Sequence, residues 1–189
     1  MVGLFGGSFN PPHNGHLALA AAAQEQFALE RLVVLVTIRP RYKHVAEDGD
    51  LRLELARAAF PGSAVEREEG TTDATVRDAA RRYGDVLFLI GADQFLDFPT
   101  WHDPVAVLEH ARLGVATRPG YARERLEATL ERVSRPERVL FFSIPELPIA
   151  SSEVRARVAR GEPVDDLVPA AVARLIEERK LYRPPPRLH

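Results

Sequence analysis

His13, His16, Ser151 and Arg155 are the side chains whose types and settings suggest chemistry, and that chemistry is the handling of phosphate. The two histidines close the stretch VGLFGGSFNPPHNGHL, residues 2–17. Val2, Leu4 and Phe5 start an apolar strand, and Gly6 and Gly7 end it, since glycine turns sharply and keeps side chains out of a ligand's way. Pro11 and Pro12 hold the following loop extended. The run HLALAAAAQEQF after Gly15 is strongly helical by composition. A glycine turn that leads a strand into a helix presents free N–H groups and a dipole suited to anions, with His13 and His16 at the entrance. The second stretch is IASSEVRARV, residues 149–158. Ser151 or Ser152 can cap a helix there, Val154 and Val158 form its apolar stripe, and Arg155 lies on the first turn, as a phosphate cradle requires.

Each stretch also has a plainer reading. The first could be a structural turn with two incidental histidines, and the second an ordinary helix start. Histidines three apart can share a metal, but His13 sits in a proline loop and the chain has no cysteine, so no metal-ligand set is assigned. The glycines are not followed by Gly-Lys-Ser/Thr and do not form GxGxxG, which excludes two common phosphate loops.

The elements that must carry these side chains alternate between strand and helix. Residues 31–38 (RLVVLVTI) and 85–90 (DVLFLI) are continuous apolar runs, read as strands buried on both faces. Further strands are expected at 64–67, 113–117 and 138–144. Helices are expected at 50–60, capped by Asp50, and at 71–83, 103–111, 121–133, 151–160 and 169–180. This order implies an α/β fold: a doubly wound, mainly parallel sheet with helices on both faces, in one domain over residues 1–183 with a loose tail at 184–189. Ligands bind such sheets beyond the carboxyl ends of the strands. Gly6-Gly7, residues 39–43, Gly91-Ala92-Asp93, Arg118 and Ser151–Arg155 all follow an expected strand.

The 189 residues carry a formal charge of −2, so no basic field argues for a nucleic acid. The absence of cysteine removes disulfides, zinc-thiolate sites and thiol nucleophiles, and fits a reducing compartment. No signal-peptide pattern or membrane-spanning run is present, so a cytoplasmic location with no membrane partner is expected. The sequence is compatible with a homo-oligomer without specifying one.

GGSFNPPHNGH resembles the GGxFxPxHxGH signature of the nucleotidyltransferase superfamily, whose His-x-Gly-His binds the phosphates of ATP. IASSEVR resembles the family's ISSTxxR, with Ile149, Ser151 and Arg155 in place, Ala150 for the first Ser and Ser152 for Thr. GAD at 91–93, TWH at 100–102, RPGY at 118–121 and LVPAAVARLIEERKLY near the end look like bacterial nicotinate-nucleotide adenylyltransferases, so the likeness covers essentially the whole chain. It implies a Rossmann-like fold and adenylyl transfer from ATP to nicotinate mononucleotide, giving deamido-NAD and pyrophosphate in NAD biosynthesis. By the same likeness His16, His13, Lys43 and Arg155 are catalytic. Gly6, Gly7, Ser8, Phe9, Gly91, Asp93, Ser151 and Ser152 join His13, His16 and Arg155 at ATP, with Asp93 on ribose. Lys43, Thr75, Trp101 and Arg118 bind the mononucleotide, with Trp101 against the pyridine ring. On residue type alone, Asp93 could simply cap a helix and Trp101 could simply be core.

Such a reaction needs no protein nucleophile. The acceptor's 5′-phosphate, with a second pKa of ~6, is largely dianionic at neutral pH and can attack the α-phosphorus itself. Mg²⁺ is expected as cofactor, held mainly by phosphate oxygens and water. Two stretches depart from the family. RPRYKHV stands where GxPPHK is usual, and residues 73–78 (DATVRD) stand where the family has SYTVDT, without its Tyr. The second departure leaves nicotinamide mononucleotide open as a preferred or dual acceptor. Other readings are transfer to another phosphorylated acceptor such as phosphopantetheine, against which Trp101 and the C-terminal segment argue, and a nucleotide sensor without catalysis.

Overall fold

The computed structural model describes residues 1–39, 47–118 and 123–184. Its elements run β1 (Val2–Gly7), α1 (Asn14–Gln26), β2 (Arg31–Thr37), α2 (Gly49–Ala59), β3 (Ala64–Glu68), α3 (Thr72–Tyr83), β4 (Val86–Gly91), α4 (Ala92–Asp97), α5 (Pro104–His110), β5 (Arg112–Thr117), α6 (Arg123–Leu130), β6 (Val139–Ser143), α7 (Ser151–Arg160) and α8 (Ala170–Glu178). The strands form one six-stranded sheet in the order β3-β2-β1-β4-β5-β6. Every pairing is parallel. The order reverses beside β1, and the crevice between the ends of β1 and β4 is the place such a sheet offers a ligand.

Alternate residues of the strands feed two cores. Leu32, Val34 and Val36 of β2 pack with Leu19 and Ala23 of α1, Leu53 and Ala56 of α2, Val154 of α7, and Val172 and Ile176 of α8. Val33 and Leu35 face the other way, toward Val76 of α3, Phe95 of α4, Val107 and Leu108 of α5, and Leu126 of α6. That two-sided burial is why the strands read as unbroken apolar runs. None of the described helices is long and apolar enough to cross a membrane.

Three local expectations need correcting. Asp48, not Asp50, caps α2: the Asp48 carboxylate accepts from the Asp50 N–H at 3.3 Å. Neither Ser151 nor Ser152 caps α7; Ala150 holds that position, and the Ser151 hydroxyl is used elsewhere. α4 was not anticipated, since six residues after a strand carry no readable helical period. Residues 40–46 and 119–122, including Lys43 and Tyr121, and residues 185–189 of the expected tail lie outside the described residues.

Candidate active site

The loop after β1 is shaped by its own rings. Phe9, with φ 46° in the left-handed region, turns into the core and is 1% exposed. Its ring lies 5.7 Å from Phe60 and 5.2 Å from His16, edge-on to each. A Cβ on Gly7 would come within 3.0 Å of the Phe9 ring, and a Cβ on Gly15 within 3.0 Å of His13 Nδ1. These two glycines therefore make room for side chains of the chain itself. That revises the reading of Gly7 as clearance for a ligand. Phe9 supports the loop from below, and its ring has no face left to offer ATP.

His13 caps α1 in an extended backbone conformation, and its N–H donates to His16 Nδ1 at 3.1 Å. With Nδ1 accepting, the neutral His16 ring carries its proton on Nε2, the atom it can offer to a phosphate oxygen. The two imidazoles lie face against face, 3.7 Å between centroids at 30°. His13 is buried, and among the described residues its Nδ1 is a buried side-chain atom without a partner. Burial, assisted by the positive charge of Arg118, lowers the His13 pKa from 6.5 to about 4, so the ring is neutral at pH 7.

This shift has a sign that can be measured. The unfolded chain takes up a proton near 6.5 and the folded chain only near 4. Stability is therefore complete above pH 6.5 and is lost as pH falls toward 4. The contribution of this one group is about 3 kcal/mol. Denaturant melts of wild type and His13→Gln between pH 7 and 4 should differ in slope over that window. Parallel curves would show that His13 titrates normally.

The first turn of α7 is fastened directly to the histidine loop. Ser151 Oγ donates to the Pro11 carbonyl at 2.8 Å, and Arg155 Nη1 donates to the Asn10 carbonyl at 2.7 Å. A cavity of about 570 Å³ opens between them, at the carboxyl ends of β1, β4 and β5. Ser8, His13, His16, Gly91, Asp93, Arg118, Ser151, Ser152 and Arg155 line it, and Ile144, Pro145, Leu147 and Ile149 give it an apolar wall. Gly91 ends β4 and caps α4, which places Ala92 and Asp93 at the rim.

Gly6, Gly7, Phe9, Thr75 and Trp101 are not on that wall. Trp101 is half-buried and meets Phe98 and Phe88 edge-on, at 5.4 and 6.4 Å. Its neighbour His102 is tied to α3, the helix of Thr75: His102 Nδ1 lies 2.9 Å from the buried Asp73 carboxylate, which Arg77 also meets at 3.3 Å. Burial alone would raise the Asp73 pKa. Hydrogen bonds from Thr71 and His102, with the charge of His102, outweigh it and hold the carboxyl below its ordinary value. Asp78, the other carboxylate of the altered segment, is exposed and paired with Arg81 at 3.5 Å.

Arg52 was missed. It is 1% exposed, and its guanidinium donates to four carbonyls: Ser8 at 3.0 Å, Thr37 at 2.7 Å, Ile38 at 2.9 Å and Glu47 at 3.2 Å. It thus ties the histidine loop to the end of β2. The signal was present in the sequence: Arg52 shares a helix face with Ala56 and Ala59, both buried, where an apolar residue is expected.

A family profile described as Cytidylyltransferase-like matches residues 4–157. A protein of Moorella thermoacetica named "probable nicotinate-nucleotide adenylyltransferase" is 36% identical over 97% of this chain and 92% of its own length. One of the same name from Thermus thermophilus is 38% identical over 96% and 99%. The solved Plasmodium falciparum nicotinic acid mononucleotide adenylyltransferase complexed with NaAD shares the fold, with a TM-score of 0.73, 15% identity and 96% of each chain covered. From its sheet order, its paired phosphate motifs and these relatives, the chain belongs to the cytidylyltransferase-like family and, within it, to the nicotinate-nucleotide adenylyltransferases.

Proposed function

We propose that the chain transfers the adenylyl group of ATP to nicotinate mononucleotide, releasing pyrophosphate and forming deamido-NAD. The observation that carries this is the joining of the two phosphate motifs, Ser151 and Arg155 bonded to the Asn10–Pro11 backbone across one cavity. The acceptor phosphate attacks the α-phosphorus and the β-phosphate leaves with its oxygen. Catalysis is alignment and charge stabilisation. His16 donates from Nε2 to the transferring phosphate, with neutral His13 stacked on it. Arg155 and Ser151 hold the leaving phosphates, and Lys43, which follows β2 in the sequence, is assigned to the transferring group by the family likeness alone. Ser8, Gly91, Ser152 and Asp93 border the nucleotide, with Asp93 at the ribose, and the wall of Ile144, Pro145 and Ile149 suits a base. Arg118, Thr75 and Trp101 serve the mononucleotide.

Asp93 is the one carboxylate on the described cavity wall, beside two arginines. A single carboxylate fits a Mg²⁺ carried in on phosphates and water rather than one held in a protein cage. When bound, the ion neutralises phosphate charge.

The carboxylates of the altered segment do not favour the amide substrate: Asp73 is occupied by His102 and Arg77, and Asp78 by Arg81. The buried Asp73, held on both sides, is not left to repel nicotinate. Pyrophosphate release from purified protein with ATP, Mg²⁺ and each mononucleotide tests the reading, with nicotinate mononucleotide expected to give the higher kcat/KM. A tenfold preference for nicotinamide mononucleotide, ~1.4 kcal/mol in transition-state terms, would overturn the choice of acceptor. Absence of release with every acceptor would overturn the reaction.

Trp101→Ala should raise KM for the mononucleotide about fivefold and leave KM for ATP nearly unchanged, as the loss of aromatic stacking on one ring predicts. A Trp that only packs on Phe88 and Phe98 would instead lower the melting temperature and impair both substrates equally.

A further inference from the structure

Asn10 takes no part in the chemistry above, yet every polar atom of its side chain is used. The residue is 6% exposed. Its Nδ2 donates to Glu47 Oε2 at 2.6 Å, and its Oδ1 accepts from the Tyr182 hydroxyl at 2.9 Å. The two partners fix the amide's orientation, because a carboxylate can only accept and the phenol here donates. Its backbone carbonyl is the acceptor of Arg155 Nη1.

Tyr182 comes from beyond α8, 172 residues along the chain from Asn10. Lys180 and Tyr182 have φ of 52° and 59°, in the left-handed region that residues with a Cβ enter at a cost. This turn brings the Tyr182 ring against the core on the side of the sheet that carries α1, α2, α7 and α8. Burial and the nearby Glu47 carboxylate raise the pKa of its phenol, which keeps the proton in place for donation. Packing alone would be served by phenylalanine; the hydroxyl and the strained turn both serve the contact with Asn10.

We propose that Tyr182 and Asn10 are positioning residues for Arg155: Tyr182 and Glu47 grip the Asn10 amide from opposite sides, and the Asn10 carbonyl thereby sets where the guanidinium stands at the cavity. The proposal rests on the reading of Arg155 as a phosphate ligand of ATP. Tyr182 touches no substrate and acts through two intermediates.

The test is a double-mutant cycle on the full chain, read by calorimetric titration with ATP. Tyr182→Phe deletes only the hydroxyl and should weaken ATP binding about fivefold, the scale of one neutral hydrogen bond. KM for the mononucleotide should stay unchanged. Arg155→Ala should weaken ATP more, and adding Tyr182→Phe to it should cost little further, because the coupled partner is gone. Glu47→Gln, which alters the other side of the same amide, should repeat the pattern. An equal penalty in both backgrounds, or none in wild type, overturns the proposal. If the wild-type chain binds no ATP, the functional reading fails, and the coupling is then read from the ¹⁵N resonances of the Arg155 side chain. Tyr182→Phe should shift them, and unchanged resonances overturn the proposal on their own.

Discussion

His16→Ala lowers kcat about a hundredfold or more and moves the melting temperature by only a few degrees. The magnitude is that of removing one preorganised donor from a developing phosphate charge. The donor is preorganised because the His13 N–H occupies His16 Nδ1, which commits the neutral ring's proton to Nε2. The stacked His13 ring, itself neutral at pH 7, adds no positive charge to its partner. The substitution removes the bond to the His13 N–H, a cap interaction worth about 1 kcal/mol. It also removes a tilted contact to Phe5 and an edge contact to Phe9, while the two phenyl rings still pack on each other and on Phe60. Folding therefore survives the change and turnover does not. The measurement is kcat at saturating ATP and mononucleotide beside a thermal melt. Turnover within about threefold of wild type would remove His16 from the reaction centre.

Arg52→Met should destabilise the fold by about 3–5 kcal/mol, since buried carbonyls left without a donor cost roughly 1–3 kcal/mol each. Methionine fills a similar volume, so packing is largely kept and the loss isolates four carbonyls stripped of their donor. For a chain of this size the melting temperature should fall on the order of 10 °C. Activity should fall as well, because the Ser8 carbonyl is one of the four and Ser8 borders the cavity. Arg52→Lys should recover only part of the stability, since an ammonium cannot span acceptors from three separate segments as a planar fork does. A melting temperature for Arg52→Met within about two degrees of wild type would show that water replaces the guanidinium, against this account.

How far the sequence could be read follows from which interactions are local. β2 and β4 were legible because burial on both faces makes a strand apolar throughout, and α1 was legible from its alanines. The phosphate motifs were legible as residue types. Their joint was not: the Ser151 hydroxyl looked like a cap for its own helix, and only the fold shows it reaching the Pro11 carbonyl. Asp48 and Asp50 are equally good caps by type, and a two-residue shift in where the helix begins decides between them. Gly7 was read as clearing a ligand, whereas the group it clears is the Phe9 ring. Asp73 and Arg77, four residues apart on one helix, can be paired from spacing alone, but the bond of Asp73 to His102, 29 residues away, cannot. Thr75 and Trp101 stand apart from the main cavity, on elements that this same bond connects.

The fastening of α7 to the histidine loop also sets an order of events during synthesis. Asn10 and Pro11 leave the ribosome early, but their partners Ser151 and Arg155 follow 140 and 145 residues later, and Tyr182 later still. β1, at the centre of the sheet, waits in the same way for β4. A nascent chain can therefore carry both histidines without being able to grip a nucleotide. Loop closure over such spans comes late and slowly, so the joint between the histidine loop and α7 can form only after α7 has been made.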